Sequence, residues 1–469
     1  MWYTIPFCSH RIIYDVLNMR CVMHKKALLL CTLLFYITTA SALTMEQALV
    51  SAYNHNEDLK INRTEFLTEI ESFPRALAAF MPHISANFSS TNSRISERGP
   101  NQPNSDSKVF AKSITLDQPI FDGWSSVAEL KSAQSSVLAS RSGYYAKEQD
   151  TFLKIINTYL DCVETKEKYK ISKVSVASNK TQLKSVEVRL KLGESTKTEL
   201  ASAREGFATA EANEAFAYAN YETAKANFDQ VFGIEAVNVQ MPELPSGLPE
   251  SLEFFKEKAA SMNPSIDSAR NKVKASKAAE CASQGVLLPK ASFQVKSSRT
   301  KYNPKNQLSS DATETNSTLS VTVPILAKGG IEYSDIRRAK YQSRQNVMNL
   351  DSIMKQVKSR VKSNWSEFNA AKLRVVATAQ AVSAAEIAYA GTTQEKKLGT
   401  KTVIDVLRAE EKLHKALESK VEARKALVLS AYKIKSLIGE LTAKSMKLDV
   451  DYFDPNFEFK KAKLKIIGY

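Results

Sequence analysis

The chain repeats its own landmarks about 206 residues apart, and this duplication limits the folds that it can adopt. Four pairs of prolines and glycines keep a separation of 205–207 residues: Pro82 and Pro289, Pro119 and Pro324, Gly193 and Gly399, and Gly233 and Gly439. Solenoid repeats are much shorter, at roughly 20–50 residues, so each copy here is a large structural half. We therefore predict the fold of one copy and expect the second copy to repeat it.

The N-terminal segment has the three parts of a secretory signal peptide. A basic pair at 25–26 precedes an apolar run over 27–37, and small residues over 40–42 follow it. We predict that residues 1–42 are a signal peptide, cleaved after Ala42, which leaves 427 of the 469 residues in the mature chain.

Three alternatives concern the same segment. The start codon is open, because residues 1–18 have no role in such a signal and Met19 or Met23 would serve equally. An uncleaved membrane anchor is disfavoured because the apolar run is shorter than the roughly 20 residues that span a bilayer. A lipoprotein processed at Cys31 is disfavoured because bulky Leu30 stands where that processing needs a small residue.

Charge and cysteine content exclude two further classes of protein. The net charge is +15, of which residues 1–42 contribute +3, so the mature chain carries +12. A basic chain can bind nucleic acid, but an exported protein does not meet the chromosome, and the Lys and Arg are spread among Glu along predicted helices. We therefore predict no nucleic-acid partner. Cys162 and Cys281, one in each half and in unmatched contexts, do not make a disulfide framework.

The first copy spans residues 43–240 and alternates between two periodicities. Apolar residues recur at helical spacing, then alternate with polar ones at the period of two that is typical of strands. The predicted elements are a helix over 44–79, strands over about 83–92 and 108–119, a long helix over about 123–192, and a helix over 196–232. A helix of about 70 residues extends about 105 Å, which is too long for a compact globule.

The second copy repeats this order after a proline-rich linker. The linker covers 241–250, the copy 251–440, and a basic tail without an assigned function 441–469. The predicted elements are a helix over 250–285, strands over about 291–299 and 317–325 joined by a polar loop, a long helix over about 331–397, and a helix over 402–438. An apolar stripe that includes Trp365 and Phe368 favours coiled-coil packing in the long helix; an ordinary amphipathic helix is the alternative.

Four membrane-length strands cannot close a barrel by themselves, and an open sheet edge is not tolerated in lipid. Three protomers would supply twelve strands, which is an even number suited to an outer-membrane barrel. The sequence therefore predicts a mixed fold: a membrane β-barrel completed by trimerisation, continued by a long α-helical barrel. The product would be a conduit.

Three motifs resemble the TolC family of outer-membrane efflux proteins, over nearly all of the mature chain. They are Gln-Pro-Ile-Phe-Asp-Gly-Trp over 118–124, Val-Pro-Ile-Leu-Ala-Lys-Gly-Gly over 323–330, and Leu-Gly-Thr-Lys-Thr-Val-Ile-Asp-Val-Leu over 398–407. The resemblance implies a homotrimeric channel in the outer membrane of a Gram-negative bacterium, with a periplasmic extension that can close. It further implies a periplasmic adaptor (membrane fusion) protein and an inner-membrane ABC or proton-driven pump, in drug efflux or type I protein secretion.

The resemblance also implies roles for residues at the periplasmic end. Asp405 matches the first of two acidic residues that ring the constriction in the family, whereas Arg408 stands at the second acidic position. Three Arg408 side chains would offset three Asp405 carboxylates, so cation selectivity and plugging by divalent cations are in question. The alternative is an exposed i, i+3 ion pair that stabilises a helix by only ~0.2–0.5 kcal/mol.

Other positions follow from the same resemblance. Glu199 and Lys401 occupy positions that link the inner and outer helical hairpins in the closed state; the alternative is unpaired surface charges. An exposed pair contributes roughly 0.2–1 kcal/mol, which a partner protein can overcome. Gly193 and Gly399 are the predicted tip turns, and Pro119 and Pro324 mark the junctions of strand and helix.

The sequence carries no pattern typical of an enzyme. His55, His83 and His414 are scattered in the mature chain, so neither a metal cluster nor acid–base chemistry is indicated. No nucleotide-binding glycine motif occurs. We predict no cofactor and no catalytic residue, with transport energy supplied by a partner.

Two other functions remain to be separated from the channel. A periplasmic coiled-coil adaptor or scaffold would have long helical hairpins without a pore, but it has no use for two membrane-length strand pairs. A cytosolic DNA-associated coiled coil conflicts with the signal peptide.

We predict that the protein fractionates with the outer membrane and migrates on SDS gels as a trimer that heating dissociates. An adaptor would instead migrate as a monomer without heating, because no closed barrel would hold its subunits together. Electrophoresis of heated and unheated membrane fractions checks this.

Overall fold

A computed structural model describes residues 43–95, 105–303, 311–326 and 329–465. The predicted signal peptide and the tips of both hairpin loops lie outside these ranges. The strands are β1 (His83–Ile95), β2 (Ser105–Phe121), β3 (Lys290–Asn303) and β4 (Ala312–Thr322). The helices are α1 (Met45–His55), α2 (Glu57–Ile70), α3 (Ser72–Ala78), α4 (Ser125–Lys191), α5 (Lys197–Phe232), α6 (Leu252–Met262), α7 (Pro264–Gly285), α8 (Ile331–Lys397), α9 (Val403–Leu437) and α10 (Pro455–Leu464).

The four strands form one antiparallel sheet in the order β1-β2-β3-β4. Its central pair, β2 and β3, joins the hairpin of the first half to the hairpin of the second, with Leu116 opposite Val295. The outer strands each have one partner, so one edge of β1 and one edge of β4 are unpaired among the described residues. A single chain therefore leaves two rows of backbone hydrogen-bonding groups open.

The two faces of this sheet differ in both chemistry and exposure. Along β2, the side chains at 108, 110, 112 and 114 are exposed, whereas those at 109, 111, 113 and 115 are half-buried. Side chains diverge on the convex face of a curved sheet and crowd on its concave face, so we infer from this alternation that the sheet curves and that the even-numbered residues of β2 lie on its convex face. The convex face carries the apolar residues Ile84, Ala86, Phe88, Phe110, Ile114, Leu116, Phe293, Val295, Leu319 and Val321. The concave face is polar, with Ser85, Asn87, Ser113, Thr115, Asp117, Gln294, Ser298, Thr318 and Ser320.

All four strands extend beyond their predicted bounds. β1 reaches Ile95, β2 begins at Ser105, β3 reaches Asn303, and β4 begins at Ala312, so residues assigned to polar loops lie in strands. Most residues of their outer portions are polar on both faces, which weakens the alternation of apolar and polar residues from which strands are predicted.

The two junction prolines are placed differently from each other. Pro119 lies inside β2, which runs on to Phe121, and the pairing with β3 shifts register between these two residues. A proline has no N–H to donate to a ladder, and a bulge is where a sheet accommodates one. Pro324 follows the end of β4 at Thr322, so the predicted strand over 317–325 ends earlier than expected.

The helices predicted over 44–79 and 250–285 are interrupted. Asn56 and Asn263 each adopt an extended backbone and cap the helix that follows. The Asn56 side chain accepts a hydrogen bond from the Leu59 N–H at 3.3 Å, and Asn263 does so from the Ser265 N–H at 3.0 Å. A single capping residue breaks the helix but barely disturbs the periodicity of its apolar residues. The sequence pattern therefore predicted one continuous helix in each half.

Two helices of 67 residues, α4 and α8, form the length of the molecule. Each extends about 100 Å at 1.5 Å per residue and packs against a shorter partner, α5 or α9. No helix in the described ranges is both long enough and apolar enough to cross a membrane.

The buried apolar residues gather where the short helices cross the long ones. The larger cluster includes Tyr53, Phe152, Tyr159, Phe228 and Phe232, and joins α1, α4 and α5. A second cluster includes Phe255, Phe368 and Ile434, and joins α6, α8 and α9. The C-terminal helix α10 packs in a third cluster, which also includes Phe66 and Tyr144, and the ring centroids of Phe459 and Phe73 lie 5.5 Å apart there.

Helices α4 and α7 are held together by small residues and serine hydrogen bonds. The Ser125 hydroxyl donates to the Ala282 carbonyl at 2.9 Å, and the Ser268 hydroxyl donates to the Ala139 carbonyl at 2.8 Å. At the end of this contact the backbones of Gly123 and Gly285 meet: a Cβ on Gly285 would lie 2.5 Å from the Gly123 carbonyl oxygen. The sheet and the helices are therefore joined by a contact that excludes side chains.

We predict that Gly285→Ala destabilises the protein, because the added methyl group meets backbone that cannot move aside. Overpacking of this kind costs roughly 1–3 kcal/mol. Gly391→Ala is the matched control, since Gly391 is a helical glycine with open space around its Cβ position. That change should stabilise the helix by about 0.8–1 kcal/mol. Thermal unfolding followed by circular dichroism in detergent checks both, and equal shifts in the two variants would contradict the prediction.

Candidate functional site

The ends of the long helices, far from the sheet, are built twice with the same backbone hydrogen bonds. After α4, the Glu194 N–H donates to the Arg189 carbonyl at 2.8 Å; after α8, the Thr400 N–H donates to the Glu395 carbonyl at 3.0 Å. Gly193 and Gly399 adopt positive φ angles of 79° and 83°. Residues other than glycine are strained at such a φ. A glycine in this conformation, with this hydrogen bond, ends the helix in a Schellman motif.

Both tip turns expose a leucine to solvent. Leu192 is 69% exposed and Leu398 is 80% exposed, and each precedes its glycine. The two turns therefore present the same apolar side chain at the same place in the motif.

The helices that leave the tips begin with matching capping boxes. Thr196 caps α5 and exchanges hydrogen bonds with Glu199, while Thr402 caps α9 and exchanges them with Asp405. The Asp405 carboxylate accepts from the Thr402 N–H at 3.0 Å, and the Glu199 carboxylate accepts from the Thr196 N–H at 3.2 Å. Both carboxylates therefore fix the start of their own helix.

Hydrogen bonds set the ionisation of these two carboxylates. The Thr402 N–H and hydroxyl, with Lys401 and Arg408 nearby, lower the pKa of Asp405. The Ser195 hydroxyl, followed by the Thr196 N–H, lowers the pKa of Glu199. Asp405 therefore stays charged at a pH where an ordinary aspartate begins to protonate.

The predicted gate and latch residues are only partly brought together in a single chain. Asp405 and Arg408 lie one helical turn apart on α9, with Arg408 exposed. Glu199 and Lys401 form no ion pair with each other among the described residues. The cations that act on Glu199 are Arg189 and Lys396.

Lys396 is a residue that the sequence did not single out. It lies in the last turn of α8 and is half-buried, and burial, followed by repulsion from Arg189, lowers its pKa. Attraction to Glu199 opposes this effect. Lys396 therefore links the tip of the second half electrostatically to the tip of the first half.

A small apolar cluster joins the two tips directly. Val186 of α4, Ala203 of α5 and Val403 of α9 are buried together. Leu183, Leu200 and Leu407 pack around them. One turn further along, α5 and α9 approach so closely that a Cβ on Gly206 would lie 3.1 Å from Leu407.

A buried polar group continues this contact. The Asn179 amide of α4 donates to the Glu410 carboxylate of α9 at 3.3 Å, and Glu410 lies 3.5 Å from the His414 ring nitrogen Nε2. The other ring nitrogen, Nδ1, is buried without a hydrogen-bond partner among the described residues.

Ion pairs extend the same contact toward the middle of the molecule. Lys425 of α9 reaches Asp161 and Glu164 of α4, the latter at 2.7 Å. Lys168 of α4 lies 2.8 Å from Glu422 of α9. Burial lowers the pKa of Lys425, but hydrogen bonds to the two carboxylates outweigh it and raise that pKa overall. We call the contact from the apolar cluster to Lys425 the hairpin seam.

A groove of about 1130 Å³ runs beside the hairpin seam, between α4, α5 and α9. Most of the residues that line it are polar, among them Asn213, Asn220, Arg408 and Lys415. Among the residues that the structure describes, no group of three His, Cys, Asp or Glu side chains is placed to hold a metal ion.

Comparisons with known proteins agree with this architecture. Residues 72–233 and 256–440 match the sequence model of a family described as outer membrane efflux protein. The chain is 26% identical over 425 residues to the outer membrane efflux protein BepC of Brucella suis biovar 1 (strain 1330), covering 91% of each chain.

Solved structures show the same fold at low identity. The CmeC outer membrane channel of Campylobacter jejuni superposes with a TM-score of 0.74 at 15% identity, covering 89% of this chain and 88% of that one. The outer membrane protein VceC of Vibrio cholerae superposes with a TM-score of 0.70 at 18% identity, covering 83% and 95%.

We predict that Lys425→Gln destabilises the hairpin seam, because it removes the cation that Asp161 and Glu164 of α4 share. Glu164 keeps Lys168 as a second cation, whereas Asp161 has no other ion pair among the described residues. Charged hydrogen bonds of this kind contribute roughly 1.5–3 kcal/mol. Lys415→Gln is the matched control: Lys415 is exposed and its partner, Glu411, lies on the same helix. That change should stay within about 0.5 kcal/mol. Thermal unfolding of the two variants compares them, and an equal loss in both would show that the seam is not special.

Proposed function

The chain belongs to the outer membrane efflux protein family, and we propose that it forms a homotrimeric exit channel through the outer membrane of a Gram-negative bacterium. The channel is a passive conduit without catalytic activity. A periplasmic adaptor and an inner-membrane pump open it and supply the energy. Efflux is the primary use that we propose, since the family is named for it, and type I protein secretion is the alternative.

The observation that carries this proposal is the open four-stranded sheet. Its convex face is apolar, its concave face is polar, and β1 and β4 each have an unpaired edge among the described residues. Pairing β1 of one protomer with β4 of the next would remove both edges at once. Three protomers give a closed barrel of twelve strands with a lipid-compatible outside and a polar lumen.

Aromatic side chains support the same orientation. Phe121 and Trp124 meet edge to face at 5.8 Å where the sheet joins α4, and Phe88 and Phe110 lie toward the other end of the convex face. Girdles of aromatic residues at both boundaries of the apolar band are typical of outer-membrane barrels.

Exposure along the long helices supports a helical tube built from several chains. On α8, Met348, Leu373 and Ile387 are each at least 71% exposed in a single chain. Such side chains are covered when helices of neighbouring protomers pack beside them. The periplasmic tube proposed here supplies that cover.

The tips support docking of an adaptor and a closable end. Exposed Leu192 and Leu398 give a partner two equivalent apolar contacts. Asp405, together with Arg408, is the proposed gate. The latch between Glu199 and Lys401 stays a prediction; because they do not pair within one chain, the contact requires a neighbouring protomer or another state of the tip.

We predict that Asp405→Asn lowers the permeability of the purified channel for K⁺ relative to Cl⁻, and that Arg408→Gln raises it. Both residues place their charges at the proposed constriction, with opposite signs. Asparagine retains an oxygen that can accept the Thr402 N–H, so the helix cap survives. The reversal potential in planar bilayers under a salt gradient measures the effect.

Thr402→Ala is the matched control for this experiment. It removes the side-chain cap at a cost of about 1 kcal/mol of stability and leaves the charge of residue 405 in place. Its reversal potential should equal that of the unmodified channel. Identical reversal potentials in all three variants would remove the gate from the proposal, and a protein that passes no current in any form would remove the channel itself.

A further inference from the structure

The convex face of the sheet changes from apolar to basic toward the hairpin loops. Four exposed cations lie there on β2 and β3: Lys108, Lys112, Arg299 and Lys301. We call these four residues the outer basic patch. Nearer the helices the same face carries Ile84, Leu116 and Val295, so the change falls within single strands.

The patch contains a cross-strand pair of like charge. Lys112 stands directly opposite Arg299 in the antiparallel register, and Lys301 stands opposite Phe110. Like charges directly opposite one another destabilise a sheet. No ion pair to these four cations forms within the described ranges. Two acidic residues lie further along the sheet: Asp106 is opposite Arg94, and Asp311 directly precedes β4. The charge of the pair therefore lacks a balancing anion from its own strands.

Two of the three lysines of the patch lie over aromatic rings of the convex face. Lys108 Nζ is 5.0 Å from the centroid of the Phe110 ring, and Lys112 Nζ is 5.8 Å from that of Phe88. Aromatic rings with amphipathic lysines beside them are typical of the boundary between hydrocarbon and headgroups.

The height of the patch fits the outer boundary of a membrane. From exposed Ile120 to Lys112 and Lys108 the strand rises about 25–40 Å at 3.3 Å per residue. With a strand tilt of about 40°, this corresponds to roughly 20–30 Å along the membrane normal, close to the apolar band of about 25 Å in such barrels.

We propose that the outer basic patch binds the phosphate groups of lipids in the outer leaflet. The inference rests on the proposed function, since it requires the convex face to meet lipid. Arginine holds phosphate in a bidentate manner and lysine binds it as a point charge. A bound phosphate offsets the repulsion between Lys112 and Arg299. A trimer carries three such patches around its circumference.

The test uses the full-length trimer in phosphatidylcholine bilayers that contain a trace of spin-labelled lipid. Electron paramagnetic resonance compares the association of labelled phosphatidic acid with that of labelled phosphatidylcholine. The unmodified protein should select phosphatidic acid. In the double variant Lys112→Gln with Arg299→Gln, the selectivity should fall by roughly fivefold or more, since each cation near an anionic surface contributes about 1 kcal/mol.

The matched control removes two cations from the concave face of β3, the strand that carries Arg299. Lys290 and Lys296 are exposed there, and Lys290→Gln with Lys296→Gln should leave the selectivity unchanged. Undiminished selectivity in the Lys112/Arg299 variant overturns the proposal. The proposal is also overturned if millimolar inorganic phosphate abolishes the selectivity of the unmodified protein, because the patch would then bind a soluble anion.

Conductance of the same preparations in planar bilayers separates this proposal from the proposed function. If the channels conduct but do not select phosphatidic acid, the lipid-site proposal is overturned and the proposed channel function is retained. Preparations in which even the unmodified protein fails to conduct count against the channel.

Discussion

Backbone hydrogen bonding at the two outer strands is the constraint on which the rest of the structure depends. A single chain pairs β1 only with β2 and β4 only with β3, so the outer edges hold rows of N–H and C=O groups without partners among the described residues. Water can satisfy such groups, whereas hydrocarbon cannot, and each one left unsatisfied in lipid costs several kcal/mol. The convex face nevertheless has the apolar character that lipid requires. The closure by other copies of the chain that we propose would satisfy both demands, and the same symmetry would arrange the long helices into a tube.

The two halves of the chain share the same frame and differ in the residues that join them at the tips. The capping asparagines, the tip glycines and the boxes of Thr196 and Thr402 recur at the same separation, because each solves the same local problem of starting or ending a helix. The hairpin seam has no such symmetry. Gly206 lets α5 approach α9 closely, whereas the position 206 residues later is Lys412. Two halves with the same frame thus acquire a specific contact near their tips.

The sequence carried the architecture more clearly than the site. The first long helix could be predicted because no proline falls between Gly123 and Leu192. The family resemblance is confirmed by a match over residues 72–233 and 256–440. The helix break at Asn56 could not be predicted, because one extended residue barely disturbs an apolar periodicity. The outer portions of β1 and β3 could not be predicted, because most residues on both faces are polar there. At the tips, the spacing Thr-x-x-Glu and Thr-x-x-Asp was a readable capping signal. The approach of Lys396 to Glu199, and of Asn179 to Glu410, depends on how the two halves pack, which no local pattern encodes.

Disulfide cross-linking between the edge strands tests the central claim most directly. Single cysteines would replace Ser85, Asn87 or Ser89 on β1 and Asn316, Thr318 or Ser320 on β4, in pairs, with the exposed Cys281 changed to Ser. Because a disulfide needs Cα atoms roughly 4.4–6.8 Å apart, only pairs that face each other will link. Closure predicts covalent trimers on non-reducing SDS gels of heated samples for a small set of pairs in one register, and monomers for every single-cysteine variant. Covalent dimers alone, open ladders beyond the trimer, or monomers for all pairs would contradict it.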